Sequence, residues 1–361
     1  MPEQPCQILP HQVYTWRGSA REIGFQHGRV LRAEIVAEAQ RAMESFARAR
    51  GWPERQALDF AMREWAPLFR EHVPRAMEEI RGMAAGGGFD EAWMFFAAVH
   101  GGTKSNAPGR PEACTALACG PGTTRQGHVL MGQTKDTSAP LTRYRIMRLA
   151  YDDGLGNLLL NYPGFISHLC LSSHGLFCTA NSLYARQPEG EVTPFSFIRA
   201  LAKEKTSTED VLSAIRGLSF DNGCTIVGDR GGRLACIEAV AGRTRIRDVS
   251  AEVFAHANSI LSEDLQRYEQ ASPHLASSPR RQIHMQRLLD AERGRLTVET
   301  LKGFLADHTD APCSICRHPD DLEPGWTTAA VVADLTARKL HICIGNPCVA
   351  PFVEYGMACD D

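Results

Sequence analysis

The chain has 361 residues, of which 43% are apolar and 22% are charged, and its net charge is −3. This composition is typical of a soluble globular protein of one or two domains and gives no basic surface for a nucleic acid. The longest apolar runs are too short to cross a bilayer. The amino terminus lacks a basic start followed by an apolar stretch, so we expect a cytoplasmic protein whose twelve cysteines are mostly reduced.

The first third of the chain has the pattern of helices. Ser19 and Glu22 have the spacing of a capping box, and the apolar residues that follow recur at helical spacing as far as Phe46. We therefore predict one helix that ends at Gly51. Three further helices are predicted: from Pro53 to about Glu71, from Pro74 to the Gly86–Gly88 run, and from Glu91 to His100 with Asp90 as its cap.

The composition changes between Gly101 and Ala113, where glycine and proline occur among polar residues. Such a segment is typical of an exposed loop and is a candidate processing site. We therefore predict a helical segment over residues 1–113 and a second unit over residues 114–361.

After Cys114 the pattern is that of short strands in hairpins with helices between them, which favours stacked antiparallel sheets covered by helices. The stretch from Ser262 to Ser278 is predicted to be a mobile surface loop. Strands are predicted at 128–133, 144–151, 157–162, 176–180, 224–228, 233–239, 327–335 and 340–344, and helices at 194–203, 208–216, 279–289 and 298–306.

Cys114 stands where the loop meets the start of a further predicted strand. A thiolate is the strongest nucleophile among protein side chains at neutral pH. If the chain were cleaved before Cys114, the new α-amino group would have a pKa of about 7.7–8.0 and could act as the base for its own thiol. A cysteine in this position is also common as a packing residue, so the pattern alone leaves both interpretations open.

Several ordered motifs resemble one known family. They are Arg21–Gly28, Ala113-Cys114-Thr115, Gly132-Gln133 with Asp136, His256-Ala257-Asn258 and Ser314-Ile315-Cys316-Arg317. Together they resemble the acyl-coenzyme A:6-aminopenicillanic acid acyltransferase family over nearly the whole chain. That family is the self-processing cysteine group of the N-terminal-nucleophile hydrolases, and it is related more distantly to penicillin V acylases and bile salt hydrolases.

The resemblance implies an α+β fold, the four-layer αββα sandwich, and a role for each matching residue. Cys114 matches the nucleophile, and Asp136 matches a carboxylate that orients the α-ammonium group. Asn181 and Asn258 match oxyanion-hole positions, where an amide N–H meets developing negative charge. Arg317 matches an arginine that favours the thiolate and pairs with Asp136 or substrate. Each of the last four could instead be a turn residue or a surface ion-pair residue.

Two departures from the family pattern concern the cleavage site and the pocket. The family usually has glycine before the nucleophile, whereas this chain has Ala113, so we expect slow maturation. The family also tends to have aromatic residues near its aspartate. Lys135, Thr137 and Ser138 flank Asp136 here, which indicates a polar pocket and a substrate other than an aromatic acyl penicillin.

Three alternative sites are disfavoured by the sequence. Cys313, Cys316, Cys343 and Cys348 do not have the spacing of a zinc ribbon, so no metal is expected. His256 lacks the surroundings typical of a cysteine-protease base and is interpreted as a structural residue. The Gly86–Gly88 run lacks the lysine of a phosphate loop and is interpreted as a helix stop.

The resulting hypothesis is a cofactor-free acyl transfer through a thioester on Cys114, in which an amide or an acyl thioester such as acyl-coenzyme A is the substrate. The two cleavage fragments are expected to stay associated, with no nucleic acid or membrane partner. Two rivals stay open: an amidohydrolase, in which water replaces the acceptor amine, and a non-cleaving relative that serves as a binding or scaffold protein.

Overall fold

The computed structural model describes residues 12–100, 113–137, 144–188, 190–270, 275–319 and 325–357. Most of the loop predicted between Gly101 and Ala113 lies outside these ranges, as does Ser138. Within them, no helix combines the length and the apolar character needed to cross a membrane.

Six helices follow the first strand of the described chain, and four more lie between strands farther along it. The helices are α1 (Ala20–Val30), α2 (Arg32–Arg50), α3 (Glu54–Phe60), α4 (Ala66–His72), α5 (Pro74–Gly87), α6 (Glu91–His100), α7 (Ser196–Glu204), α8 (Thr208–Ala214), α9 (Ser278–Ala291) and α10 (Val298–Leu305). The strands are β1 (Val13–Gly18), β2 (Ala113–Cys119), β3 (Leu130–Thr137), β4 (Arg145–Tyr151), β5 (Gly156–Asn161), β6 (Leu169–Ser172), β7 (Leu176–Cys178), β8 (Gly223–Asp229), β9 (Leu234–Val240), β10 (Arg243–Asp248), β11 (Val253–His256), β12 (Trp326–Asp334), β13 (Lys339–Ile344) and β14 (Val353–Gly356).

The strands of the described residues form two sheets. The first sheet has the order β1-β4-β5-β6-β7-β8-β9-β10, and the second has the order β11-β2-β3-β12-β13-β14. All pairings are antiparallel except that of β1 with β4. Strand β2, which begins beside the nucleophile candidate, therefore lies inside the second sheet with a neighbour on each side.

Three apolar layers separate four structural layers. Ala116 and Met131 from the second sheet pack against Leu158 and Ile226 from the first, so the two sheets face each other. The N-terminal helices and α7 cover the outer face of the first sheet, while α9 and α10 cover the outer face of the second. Because successive strand residues point to opposite faces, each sheet can bury both faces in this way. The αββα sandwich expected from the resemblance is thus the observed fold.

The Arg21–Gly28 motif serves close packing of α1 against α5. A Cβ added at Gly24 would lie 2.0 Å from the carbonyl oxygen of Glu79, so only glycine lets the two helices approach this closely. His27 is buried, and its Nε2 accepts a hydrogen bond of 2.9 Å from Gly164 N–H. Burial and the nearby Lys203 lower the pKa of His27 to about 3, which keeps the acceptor nitrogen unprotonated.

A buried ion pair ties the helical layer to the rest of the chain. The Glu79 carboxylate accepts hydrogen bonds of 2.5 and 2.7 Å from Lys203 Nζ and one of 2.6 Å from the Tyr151 hydroxyl. Glu79 belongs to α5, whereas its two partners lie beyond residue 113. Removal of one partner would leave a buried charge without compensation and would therefore destabilise the fold.

The predicted helices are present, but two of them are divided. The capping box at Ser19 is confirmed, although the first helix bends at Leu31, which keeps its buried side chain in the core. The helix predicted from Pro53 to Glu71 contains a π-helical turn at Ala61–Trp65. Pro67, two residues after this turn, has no N–H to donate to the carbonyl four residues earlier. The helical hydrogen bonds therefore change register at this point. The caps at Gly88 and Asp90 are confirmed.

The predicted strands are confirmed with small shifts in their ends, but five others were not predicted: β1, β6, β10, β11 and β14. Most of these are short strands of four residues. Strand β3 also continues past the predicted end at Gln133 as far as Thr137, so Asp136 belongs to a strand. The loop predicted from Ser262 to Ser278 contains a 3-10 helix at Glu263–Tyr268 and the fully buried Ser277 and Ser278; residues 271–274 lie outside the described ranges.

The packing of α1 on α5 predicts opposite effects of two helical glycine substitutions. Gly24→Ala should lower the free energy of unfolding by about 1–3 kcal/mol, because the new methyl group must displace backbone. Gly303→Ala in α10 meets no atom within 4 Å and should raise it by about 0.5–1 kcal/mol. Urea denaturation measures both values, and equal effects of the two substitutions would contradict the proposed packing role of Gly24.

Candidate active site

The start of β2 lies in the sheet interior. Cys114 pairs with Lys135 of β3, and Ala113 pairs with Asp136. Ala116 faces the space between the sheets, so the alternation of a strand directs Cys114 to the same side. Cys114 is fully buried, and Lys135 is 2% exposed.

Among the described residues, two hydrogen bonds involve the sulfur of Cys114. The Lys135 Nζ donates to Cys114 Sγ over 3.1 Å, and the sulfur lies 3.4 Å from the carbonyl oxygen of Ala180. The side chain of Gln133 fixes Ala180 through bonds of 2.6 Å to its carbonyl oxygen and 2.8 Å from its N–H. A cationic donor and a rigidly held carbonyl therefore define the surroundings of the thiol.

The backbone of Cys114 is held by side chains. Its N–H donates to Asn258 Oδ1 over 3.0 Å. Arg281 of α9 donates to the same Asn258 oxygen at 2.9 Å, to the carbonyl oxygen of Cys114 at 2.7 Å and to the Thr115 hydroxyl at 2.8 Å. The guanidinium group is fully buried. One arginine thus fixes both the nucleophile candidate and the asparagine beside it.

The amide N–H groups of the two predicted oxyanion-hole residues point to backbone carbonyls. Asn181 Nδ2 donates to His256 and Ala257 at 3.2 and 2.9 Å, which uses both of its hydrogens. Asn258 Nδ2 donates one bond of 3.0 Å to Ser182. In this arrangement Asn181, which follows β7, is bonded to the end of β11 and to Ala257, while Asn258 contacts the nitrogen of Cys114.

Asp136 lies across the strand from Ala113 and is fully buried. Its Oδ1 accepts a hydrogen bond of 2.7 Å from the Thr327 hydroxyl, whereas Oδ2 has no hydrogen-bond partner among the described residues. Burial raises the pKa of this carboxyl, and the charges of Arg281 and Arg317 offset only part of the rise. A further positive group beside Oδ2 would stabilise the carboxylate.

Arg317 reaches the site through Thr327. The Arg317 N–H donates to Thr327 Oγ1 over 2.8 Å, and this hydroxyl in turn donates to Asp136. The Arg317 side chain is 3% exposed and packs against Gly325, where an added Cβ would lie 2.3 Å from its Cζ. Arg317 therefore belongs to the surroundings of Asp136.

His256 forms a buried ion pair. Its Nε2 lies 2.8 Å from Glu238 Oε1, and its Nδ1 lies 2.9 Å from the carbonyl oxygen of Ala257. Both ring nitrogens face acceptors, so the imidazole carries both protons. Burial disfavours the charged form of both side chains, but their mutual hydrogen bond and opposite charges favour it. The pKa of Glu238 is lowered to about 2, and the pKa of His256 is raised. A ring in this state has no free nitrogen for a proton from Cys114.

Two buried cations of the site were not predicted from the sequence. Lys135 follows Gln133 at a strand interval of two, so extension of the predicted strand would have directed it toward Cys114. Arg281 precedes Met285 and Leu289 at helical intervals of four, which marks it as a residue on the buried face of α9. Only pairing of distant segments brings either cation to the nucleophile candidate.

Comparisons with known proteins give similar structures at low sequence identity, and no curated protein sequence matches the chain. A mutant of conjugated bile acid hydrolase from Clostridium perfringens has 12% identity and a TM-score of 0.48, over 67% of this chain and 96% of that chain. A second variant of that hydrolase has 13% identity and a TM-score of 0.46, over 67% and 97% of the two chains. Penicillin V acylase from Agrobacterium tumefaciens has 10% identity and a TM-score of 0.42, over 64% and 83%.

The family comparison is more specific. The model of the acyl-coenzyme A:6-aminopenicillanic acid acyl-transferase family matches residues 125–348, which is more than half of the chain. The matched part begins after Cys114 and contains Asp136, Asn181, Asn258 and Arg317. The chain therefore belongs to the acyl-coenzyme A:6-aminopenicillanic acid acyl-transferase family.

Proposed function

We propose that this protein is a cysteine acyltransferase or amidohydrolase that cleaves itself before Cys114 and then forms an acyl-enzyme on the Cys114 sulfur. Membership of an acyl-transferase family supports acyl transfer as the general chemistry. Two hydrogen bonds of Cys114 support the proposal that it is the nucleophile. Its sulfur accepts from Lys135 Nζ, and its nitrogen donates to Asn258 Oδ1. A packing cysteine requires neither contact.

Self-cleavage requires transfer of one proton from sulfur to nitrogen. Before cleavage, the Cys114 nitrogen is an amide and cannot act as a base. Lys135 lies 3.1 Å from the sulfur, so the thiol proton resides on its nitrogen as an ammonium group beside a thiolate, and this thiolate attacks the carbonyl carbon of Ala113. The C–N bond then breaks, the Lys135 ammonium group returns the proton to the departing nitrogen, and water hydrolyses the thioester to free the Ala113 carboxylate and the thiol.

The mature enzyme would use its own amine. The α-amino group of Cys114, with a pKa of about 7.7–8.0 in a free peptide, takes the thiol proton in each catalytic cycle. Asn258 Oδ1 already accepts from this nitrogen, and Asp136 Oδ2, buried opposite Ala113, offers a second acceptor. The new positive charge would offset the burial that raises the pKa of Asp136.

Substrate access follows from the same cleavage. Cys114 is fully buried, and Ala113 is 2% exposed, so an amide substrate can reach the sulfur only after local rearrangement. Release of the bond between these residues lets the end of the first fragment withdraw. The two fragments would stay together through the apolar layer between the N-terminal helices and the first sheet, and through the Glu79–Lys203 ion pair.

The proposed substrate is a small amide or acyl thioester. A thioester on Cys114 can be resolved by water, which gives hydrolysis, or by an amine, which gives transfer. Lys135, Arg281 and Arg317 surround the site with positive charge, which favours a substrate with an anionic group. The remaining hydrogen of Asn258 Nδ2 is the proposed oxyanion donor, and Asn181 supports it by fixing the backbone of the same segment.

The rival function is a non-cleaving binding protein, and one observation favours it. Ala113 lies in a strand and is paired with Asp136. Its methyl group fits there, and regular strand pairing does not strain the peptide bond between Ala113 and Cys114. We nevertheless favour slow cleavage, because a binding protein has no use for an unpaired buried carboxylate oxygen and a buried lysine at a thiol.

Maturation separates these functions. Protein aged at neutral pH should yield fragments 1–113 and 114–361, slowly and incompletely, because the Cβ of Ala113 restricts the backbone more than glycine would. Ala113→Gly should accelerate cleavage, and Cys114→Ala should abolish it. Intact mass spectrometry follows the fragments, and a single chain that nevertheless turns over an amide would contradict cleavage as a requirement.

Lys135 should be needed for maturation. Lys135→Met keeps the apolar stem and removes the amine, so it should slow self-cleavage by about 10²–10⁴-fold, the usual contribution of a positioned acid or base. The control is Lys339→Met, which removes an exposed lysine paired with Glu354 and should leave the rate unchanged. Cleavage of Lys135→Met at the parental rate would rule out the proposed proton transfer.

Asn258 should affect turnover more than folding. Asn258→Ala removes the acceptor for the Cys114 nitrogen and the proposed oxyanion donor, so kcat should fall by about 10²–10³-fold. The thermal midpoint reports on folding in the same sample. Loss of the folded state with no specific kinetic defect would instead assign Asn258 a purely structural role.

A further inference from the structure

Four potential metal ligands converge beside the second sheet. His308 follows α10, Cys316 and His318 lie in the segment before β12, and Cys348 follows β13. One atom from each, a sulfur or an imidazole nitrogen, lies within 4.8 Å of all the others. Cys313 and Cys343, which lie nearby in the sequence, do not belong to this group.

The separations match the edges of a zinc tetrahedron. Cys316 Sγ and Cys348 Sγ lie 3.6 Å apart, and the Nε2 atoms of His308 and His318 lie 3.1 Å apart. The sulfur–nitrogen distances to His318 are 3.3 and 3.9 Å. With Zn–S and Zn–N bonds of about 2.3 and 2.0–2.1 Å, the corresponding tetrahedral edges are about 3.8, 3.3 and 3.5 Å.

We propose that His308, Cys316, His318 and Cys348 bind one zinc ion in a closed tetrahedral Cys2His2 site. Two thiolates and two imidazoles are the ligands of structural zinc sites, and the tetrahedral S2N2 arrangement distinguishes such a site from octahedral oxygen sites for magnesium or calcium. This inference is independent of the proposed function, and it revises the sequence-based expectation of no metal. The ligand spacing differs from a zinc ribbon because the fold supplies the ligands from three separate segments.

The surroundings suit a structural metal. Asn346 Nδ2 donates to Cys316 Sγ over 3.7 Å and to the carbonyl oxygen of Arg317 over 2.8 Å. An N–H directed at a ligating sulfur is a common outer contact of zinc sites. Cys316 is buried, whereas the other three ligands are exposed, so an ion can reach the site from solvent without opening of the core.

The position of the site connects it with the candidate active site. Cys316 and His318 immediately flank Arg317, whose N–H bonds to Thr327 and through it to Asp136. A zinc ion that joins this segment to the ends of α10 and β13 would fix the backbone from which Arg317 projects. We therefore assign the ion a structural function in holding this segment, with no contact to the reacting atoms.

The test measures metal bound by the full-length protein. Protein purified with added zinc and then desalted should contain one zinc per chain by plasma mass spectrometry, and replacement by cobalt should give the visible and thiolate charge-transfer bands of a tetrahedral S2N2 site. Cys348→Ser and His318→Asn, which change exposed ligands, should remove stoichiometric zinc. Asn346→Ala should weaken zinc affinity by about 10–100-fold.

Cys313→Ser is the matched control, because it removes a neighbouring thiol outside the cluster and should retain zinc. Retention of full zinc by Cys348→Ser would overturn the proposal. A parental protein that takes up no zinc or cobalt, and whose non-reduced peptide map contains a Cys316–Cys348 disulfide, would also overturn it. The cobalt spectrum of the parental chain needs no substitution, so the test does not depend on the folding of any variant.

Discussion

The amide nitrogen of Cys114 donates its hydrogen bond to the side-chain oxygen of Asn258, and Arg281 donates to the same oxygen. This contact joins β2, the segment after β11 and α9, which are distant in sequence. It also places the Cys114 nitrogen at the centre of the candidate site. In the proposed chemistry that nitrogen becomes the catalytic base, so an arrangement that holds the precursor amide also holds the amine of the mature enzyme.

Burial of Cys114 limits access to its sulfur. The proposed nucleophile, Cys114, is buried between the two sheets, where it is shielded from oxidation and water and also from substrate. The αββα arrangement resolves this conflict if the chain opens at Cys114 itself, because the N-terminal helices have their own apolar layer and a buried ion pair with Lys203. After the proposed cleavage, the new carboxyl end at Ala113 can therefore move while the N-terminal helices stay packed on the first sheet.

Much of the fold followed from local patterns in the sequence, including the caps of α1, α5 and α6 and the hairpin of β8 and β9. Short strands such as β6 and β11 were missed because their existence depends on the neighbours with which they pair. The same dependence on distant neighbours explains which residues of the candidate site were missed. The motifs around Cys114, Asp136, Asn258 and Arg317 are visible in the sequence, whereas Lys135, Arg281 and the four proposed zinc ligands become neighbours only through tertiary pairing.

The most direct test of the central claim is to locate the acyl group during turnover. The mature protein would be mixed with a slowly hydrolysed acyl thioester, quenched in acid and digested, and the peptides would be mapped by mass spectrometry. Our account predicts a hydroxylamine-sensitive acyl group on the sulfur of Cys114, in a peptide that begins with that residue. Turnover with no acyl group on Cys114, or with the acyl group on another residue, would contradict it.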